Sequence, residues 1–123
     1  MHPNALKAYQ KTQMGTLPGR ELEAEVLTKA ANSLKECQED WNAPDRRVRL
    51  DEALKYNRLI WSVFQSELAK NDNPLPRELR QNLLNLSLFI DKRTYEIMAY
   101  PAPEKLTTII DINLNIAAGL RGE

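Results

Sequence analysis

Few residues here could carry enzymatic chemistry, and they are poorly placed for it. His2 is the only histidine of the 123-residue chain, so neither a histidine-based triad nor a histidine metal site can be assembled. Cys37 is the only cysteine and falls at helical spacing between Leu34 and Trp41. A small buried hydrophobe is the role expected of it there, not a nucleophile. With no second cysteine it forms no internal disulfide, which suits a reducing compartment. The four glycines form no phosphate-cradling loop, and the carboxylates are spread over polar helix faces with no acidic pair in an apolar setting. No enzyme activity, cofactor or metal is expected. A binding protein is.

Charge narrows the partner. Seventeen basic residues balance seventeen acidic ones, which argues against nucleic acid or an anionic membrane as the ligand. The one basic cluster, Arg46, Arg47 and Arg49 with Lys55 and Arg58, is interleaved with Asp45, Asp51 and Glu52. Tyr56 is the only aromatic nearby, where an RNA surface would add several for stacking. The cluster reads as a solvated helix face, so nucleic acid is an unlikely partner. The opening Met1-His2-Pro3-Asn4 lacks the apolar stretch of a signal peptide, and no apolar run approaches the roughly 20 residues that span a bilayer. A cytoplasmic location with no membrane contact is expected.

These side chains must be positioned by helices. Prolines at 3, 18, 44, 74, 76, 101 and 103 punctuate stretches of helical apolar spacing. Few valines and threonines cluster anywhere, so strands have little support. The spacing predicts four helices, at about residues 18–40, 45–70, 76–99 and 103–121. Pro76 and Pro103 suit first helical turns, Asp45 suits a cap, and Asn71-Asp72-Asn73-Pro74 suits a helix end. Glu25–Lys29 and Asp51–Lys55 have the favourable four-residue orientation for surface pairs.

At about 100° per residue the core stripes are Leu22, Val26, Ala30, Leu34, Cys37 and Trp41 on the first helix, then Leu50, Ala53, Leu54, Ile60, Trp61, Phe64 and Leu68 on the second. The third supplies Leu79, Leu83, Leu86, Ile90 and Ile97, and the fourth Leu106, Ile109, Ile110, Ile116, Ala117 and Leu120. The fold class is therefore all-α. An antiparallel bundle of about four main helices forms one domain over residues 16–123, after a short N-terminal segment, residues 1–15.

Two features exceed what a simple bundle needs. The second and third helices carry a further apolar line, Val48, Tyr56, Leu59 and Val63 on one and Leu84, Leu88 and Tyr95 on the other. That line fits helices buried on two sides, a groove for a partner's amphipathic helix, or an apolar homodimer interface. The second feature is a pair of asparagines, Asn57 and Asn113, at the centres of apolar arcs. An unpaired amide there costs on the order of 1–3 kcal/mol, so a bond between them or to backbone carbonyls, fixing helix register, is expected. Together with Trp61 they make a structural core motif. Residues 1–15 contain Leu6, Tyr9 and Met14 but are too short to hold a helix alone. They read either as a cover for the groove, displaced by a partner, or as a frayed tail.

Five short motifs follow in a set order and spacing: Ala8-Tyr9-Gln10; Arg20-Glu21-Leu22-Glu23-Ala24; the run from Ala53 and Leu54 through Asn57 to Ile60-Trp61; Asn73-Pro74-Leu75-Pro76; and Ile112-Asn113 followed by Gly119-Leu120. In that order they resemble the alphaproteobacterial FlaF family of flagellar biosynthesis regulators over nearly the whole chain. The departure is Gly19, which separates Pro18 from the arginine it would be expected to adjoin. The resemblance implies a role in flagellin production and export, alongside a partner regulator, FlbT, that acts on flagellin messenger RNA. A chaperone-like binder of newly made flagellin is the leading expectation, and post-transcriptional control through FlbT or the messenger is the alternative. Tyr9, Tyr56, Leu59, Val63, Leu84, Leu88 and Tyr95 are the residues expected to meet the protein partner.

Overall fold

A computed structural model describes residues 17–123, with side chains from Arg20 onward. The segment 1–15, with His2 and Tyr9, lies outside the described residues. Four helices follow one another: α1 (Leu17–Glu39), α2 (Arg46–Leu68), α3 (Arg77–Ala99) and α4 (Thr107–Arg121), the last preceded by a 3-10 turn, Pro103–Leu106. There is no strand among the described residues. The chain is an all-α helical bundle.

Local chemistry sets the helix ends. Asn73 closes α2 by donating from its amide to the Glu67 carbonyl at 2.9 Å, while its own side-chain oxygen accepts the Leu75 N–H at 3.0 Å. That turn serves a carbonyl left without an intrahelical donor and starts the link to α3. At the other end of the chain, Gly122 takes the left-handed conformation (φ 81°) and Glu123 N–H reaches back to the Ala118 carbonyl at 2.9 Å, a Schellman closure. Two expectations are corrected here. Asp45 occupies the cap position of α2 but makes no capping hydrogen bond; its carboxylate lies 3.7 Å from Arg49, one turn on. Pro76 stands just before α3, with an extended backbone (φ −53°, ψ 142°), not inside its first turn.

Neighbouring helices run antiparallel. Gln38 near the end of α1 donates to the Pro103 carbonyl and to Thr107 Oγ1 at the start of α4, at 2.9 and 2.8 Å. α1 and α4 make the most extensive contact among the described elements, where Ala24 and Ala30 share a core cluster with Ala117 and offer no bulk to hold the backbones apart. Between α2 and α3 the pairs Arg58–Tyr95 and Gln65–Asp91 show the same opposed direction.

The core forms two apolar clusters, one above the other. One gathers Leu34, Leu50, Leu54, Ile97, Leu106 and Ile109. The other gathers Leu27, Ile60, Trp61, Ile90 and Ile116, with Phe64, Leu83 and Leu120 half-buried at its edge. Leu22 is a correction: it is 59% exposed. The inward arc of α1 runs through Arg20, Ala24, Leu27, Ala31 and Leu34, in alternating steps of four and three. A strict four-residue stripe begun at Leu22 starts off that arc and, turning about 40° per step, comes onto it only toward Ala30 and Leu34. Lys29, expected to pair with Glu25, instead lies 5.7 Å over the Tyr56 ring.

Truncating Leu27 to alanine is expected to cost about 2–5 kcal/mol. Leu22→Ala is expected to stay within about 0.5 kcal/mol. Urea unfolding followed by circular dichroism measures both, and equal losses would contradict the assigned inner face.

Candidate partner-binding surface

The two asparagines meet at the level between the apolar clusters. Asn113 Nδ2 donates to Asn57 Oδ1 at 2.7 Å, and Trp61 Nε1 donates to Asn113 Oδ1 at 3.0 Å. Both asparagines are fully buried and Trp61 nearly so. The indole N–H can only donate, so Asn113 must present its oxygen to Trp61 and its NH2 to Asn57. The direction of the relay is thereby fixed from one end. Asn57 Nδ2, at the other end, has no hydrogen-bond partner among the described residues. The expected register-setting role fits this geometry; the indole as third member was not read from the sequence, although Trp61 lies one turn from Asn57 and is the only ring N–H in that stripe.

The relay holds α2 so that one of its flanks turns away from the core. Leu59 and Val63 on α2 are 62% and 52% exposed, and Leu88 and Tyr95 on α3 are 63% and 57% exposed. Leu59 and Tyr95 come together in a shallow groove between the two helices, with Lys55, Arg58, Ser62, Gln65 and Asp91. The groove walls are pinned to one another. Arg58 donates to Tyr95 Oη at 3.3 Å with its guanidinium 5.2 Å over the ring, and Gln65 donates to Asp91 at 3.0 Å.

Not every expected residue joins this face. Leu84 is half-buried. Tyr56 turns to the opposite flank of α2, packs against the core under Lys29, and lines a depression with Ser33, Glu36 and Cys37. Cys37 itself is buried, and that burial pushes its thiol pKa up, the opposite of what a nucleophile needs. Among the described residues no group of three His, Cys, Asp or Glu side chains could hold a metal ion, and no helix is long and apolar enough to cross a membrane.

A deeper cleft of about 400 Å³ opens at the end of the bundle where α1 begins, α2 ends, α3 begins and α4 ends. Trp61 forms part of its wall, edge-to-face with Phe64 at 5.6 Å between ring centroids. Leu83, Ile116, Leu120 and the turn residue Leu75 complete the apolar wall, and Arg20, Glu23, Glu67, Lys70 and Asp72 stand around it. Burial pushes the Glu23 carboxyl up, against the lowering pull of Arg20 and helped by the nearby Glu67. The sequence pattern assigned Phe64, Leu83 and Leu120 to the core and so did not distinguish this cleft. Their place within the last or first two positions of their stripes, all at one end of the bundle, is the signal that could have found it.

The described residues form a small helical bundle with an open apolar face between α2 and α3 and a cleft at one end. A family model described as flagellar protein FlaF matches residues 5–120, and the chain belongs to that family. No curated protein and no solved structure matches it.

Asn113→Ala leaves the Trp61 N–H and the Asn57 amide without their partner, and is expected to cost about 2–5 kcal/mol by combined cavity and desolvation losses. A cycle with Asn57→Ala, measured by chemical unfolding, should show coupling of about 0.5–3 kcal/mol; strict additivity would break the relay. For Glu23 the sign is set by its raised pKa. The folded state holds the proton more tightly, so ionisation opposes folding above the folded pKa and ceases to matter below the unfolded one. Glu23→Gln should therefore raise Tm at neutral pH, with a gain that shrinks as pH falls below the ordinary glutamate range. A constant gain across that window would rule the assignment out.

Proposed function

We propose that the protein binds flagellin, holding an amphipathic terminal region of the unassembled subunit along the outer face of α2 and α3 until export. Four large apolar side chains, each more than half exposed on two adjoining helices, carry this reading: Leu59, Val63, Leu88 and Tyr95. Of these, Leu59 and Tyr95 line the shallow groove between the helices; exposed apolar groups of this kind mark interaction sites, and a shallow two-helix groove suits a helix laid along it. Membership of a flagellar protein family supplies the setting. The Arg58–Tyr95 and Gln65–Asp91 bonds fix the spacing of the walls in advance, which lowers the ordering cost of association. Arg58, Lys55 and Asp91 give the rim polar groups for orientation.

The test is a pair of substitutions, Leu59→Asp and Leu88→Asp, chosen because both side chains already face solvent and neither supports the core. Each should weaken capture of purified flagellin by tenfold or more, about 1.4 kcal/mol, with helicity and Tm near those of the unaltered chain. Undiminished binding by the double variant would place the contact elsewhere. Failure of the unaltered chain to bind flagellin, with capture of FlbT instead, would overturn the reading itself.

A further inference from the structure

Charge cancels over the whole chain, seventeen basic residues against seventeen acidic, but it does not cancel around the α2–α3 groove. The lining there holds two cations, Lys55 and Arg58, against one carboxylate, Asp91. Asp91 already accepts the Gln65 amide at 3.0 Å, within the wall itself. Among the described residues the ion pairs fall at Arg49, Lys70 and Arg93. Lys55 is therefore exposed without the Asp51 pair that their spacing suggests. A groove otherwise lined by Leu59, Tyr95, Ser62 and Gln65 thus carries a local positive excess beside its apolar side chains.

The two cations are held differently. Arg58 is half-buried, its guanidinium 5.2 Å over the Tyr95 ring and one N–H on Tyr95 Oη at 3.3 Å. A guanidinium stacked in this way loses little freedom when a ligand arrives, and its fork carries further N–H donors of the shape a carboxylate accepts. Lys55 lies one turn before Leu59 and three residues before Arg58, a spacing that puts both cations on one flank of α2. The Arg58–Tyr95 and Gln65–Asp91 bonds also order the groove along its length. Lys55 and Arg58 stand at one end, and Asp91 stands about a turn and a half further on. An occupant lying along Leu59 and Tyr95 meets the cations at one end only.

We propose that this groove selects a helix with an aspartate or glutamate at the edge of its apolar stripe. Arg58 and Lys55 bind that carboxylate, and Leu59 and Tyr95 take the stripe. The inference rests on the reading that flagellin is the partner, and it names the group by which flagellin is held. A helix of the same shape without the acid would desolvate both cations and give them no counter-charge. The pair therefore discriminates against other apolar segments as well as favouring the right one.

Charge reversal on both partners tests this with the full chain. Lys55→Glu combined with Arg58→Glu should weaken capture of purified flagellin by about tenfold or more. Rising salt should weaken capture by the unaltered chain and have little such effect on the reversed one. Arg58→Lys keeps the charge and loses the fork, and should weaken capture roughly twofold to fivefold. Tyr95→Phe removes the pinning acceptor but no charge, and should leave the salt dependence in place. Flagellin variants with single Asp or Glu residues of the terminal regions replaced by Lys should include one that restores capture by the reversed chain. Should the double reversal not fold, Lys55→Glu alone, at an exposed position, is read in its place. Unchanged capture after reversal, with Leu59→Asp still abolishing it, would overturn the carboxylate proposal and leave flagellin binding standing. Stronger capture after reversal would overturn it by assigning a basic edge to the occupant. A loss that no lysine replacement rescues would reduce Arg58 and Lys55 to a structural role. If the unaltered chain captures no flagellin, the reading beneath the proposal falls and the proposal falls with it.

Discussion

One polar layer organises this bundle. Trp61, Asn113 and Asn57 form a directed pair of hydrogen bonds across α2 and α4, at the level between two apolar clusters. Leucine and isoleucine cores tolerate a helix sliding by a turn, because one apolar side chain replaces another at small cost. A buried amide does not tolerate it. Moving α4 by one turn relative to α2 would strand the indole N–H and both asparagine side chains, at about 1–3 kcal/mol for each group left unpaired. On α2 the apolar residues Leu50, Ala53 and Leu54 lie before the layer and Ile60 and Trp61 at or after it; on α4 Ile109 and Ile110 lie before it and Ile116 and Ala117 after. The layer thus registers both clusters at once. On α3, Thr94 bonds to the Ile90 carbonyl at 2.7 Å and adds a satisfied polar group between Ile90 and Ile97 without opening a cavity.

From this register the other surfaces follow. With the layer facing inward, the flank of α2 that holds Leu59 and Ser62 must face away from α4, toward solvent and the side of α3. The same rotation sends Tyr56 toward α1, where Lys29 lies over its ring. Close packing of α1 on α4 contributes the opposite constraint. Alanines bring those two helices together, but they leave little side-chain volume at the end of the bundle. Wide residues on α2 and α3, with Leu120 on α4, line the space left there as the end cleft.

Much of this was legible in the sequence because the governing patterns are local. Prolines and the Asn73 turn mark the element ends, and the 3.6-residue period picks out most buried positions of α2, α3 and α4. The buried asparagines were visible because an amide at the centre of an apolar arc must find a partner or destabilise the fold. What the pattern could not supply was the azimuth of α1. Its apolar residues are spread around much of its circumference, so a stripe begun at Leu22 leaves out Leu27, which lies inward. The second apolar line was legible as a set of residues but not as a surface. Periodicity places Tyr56 and Leu59 on one broad arc of a helix, and only the neighbours decide that one meets α1 and the other solvent. Capping chemistry failed for a related reason: Asp45 has a competing partner in Arg49, and the arginine won.

The exposed face and the polar layer answer to opposite demands, and the bundle separates them in space. The Leu59–Tyr95 face stays exposed only if it neither collapses into the core nor packs onto another copy. The layer prevents the first, because rotating α2 to bury Leu59 would pull Asn57 and Trp61 out of their bonds. Polar neighbours oppose the second: Lys55, Arg58 and Asp91 surround Leu59 and Tyr95, and each would lose hydration in an unmatched contact. With a net charge of zero the molecule adds no long-range steering of its own. Any selectivity at such a face would come from shape and from a few rim bonds. A bundle with an all-apolar core could pack as tightly, but nothing in it would keep that face pointing outward.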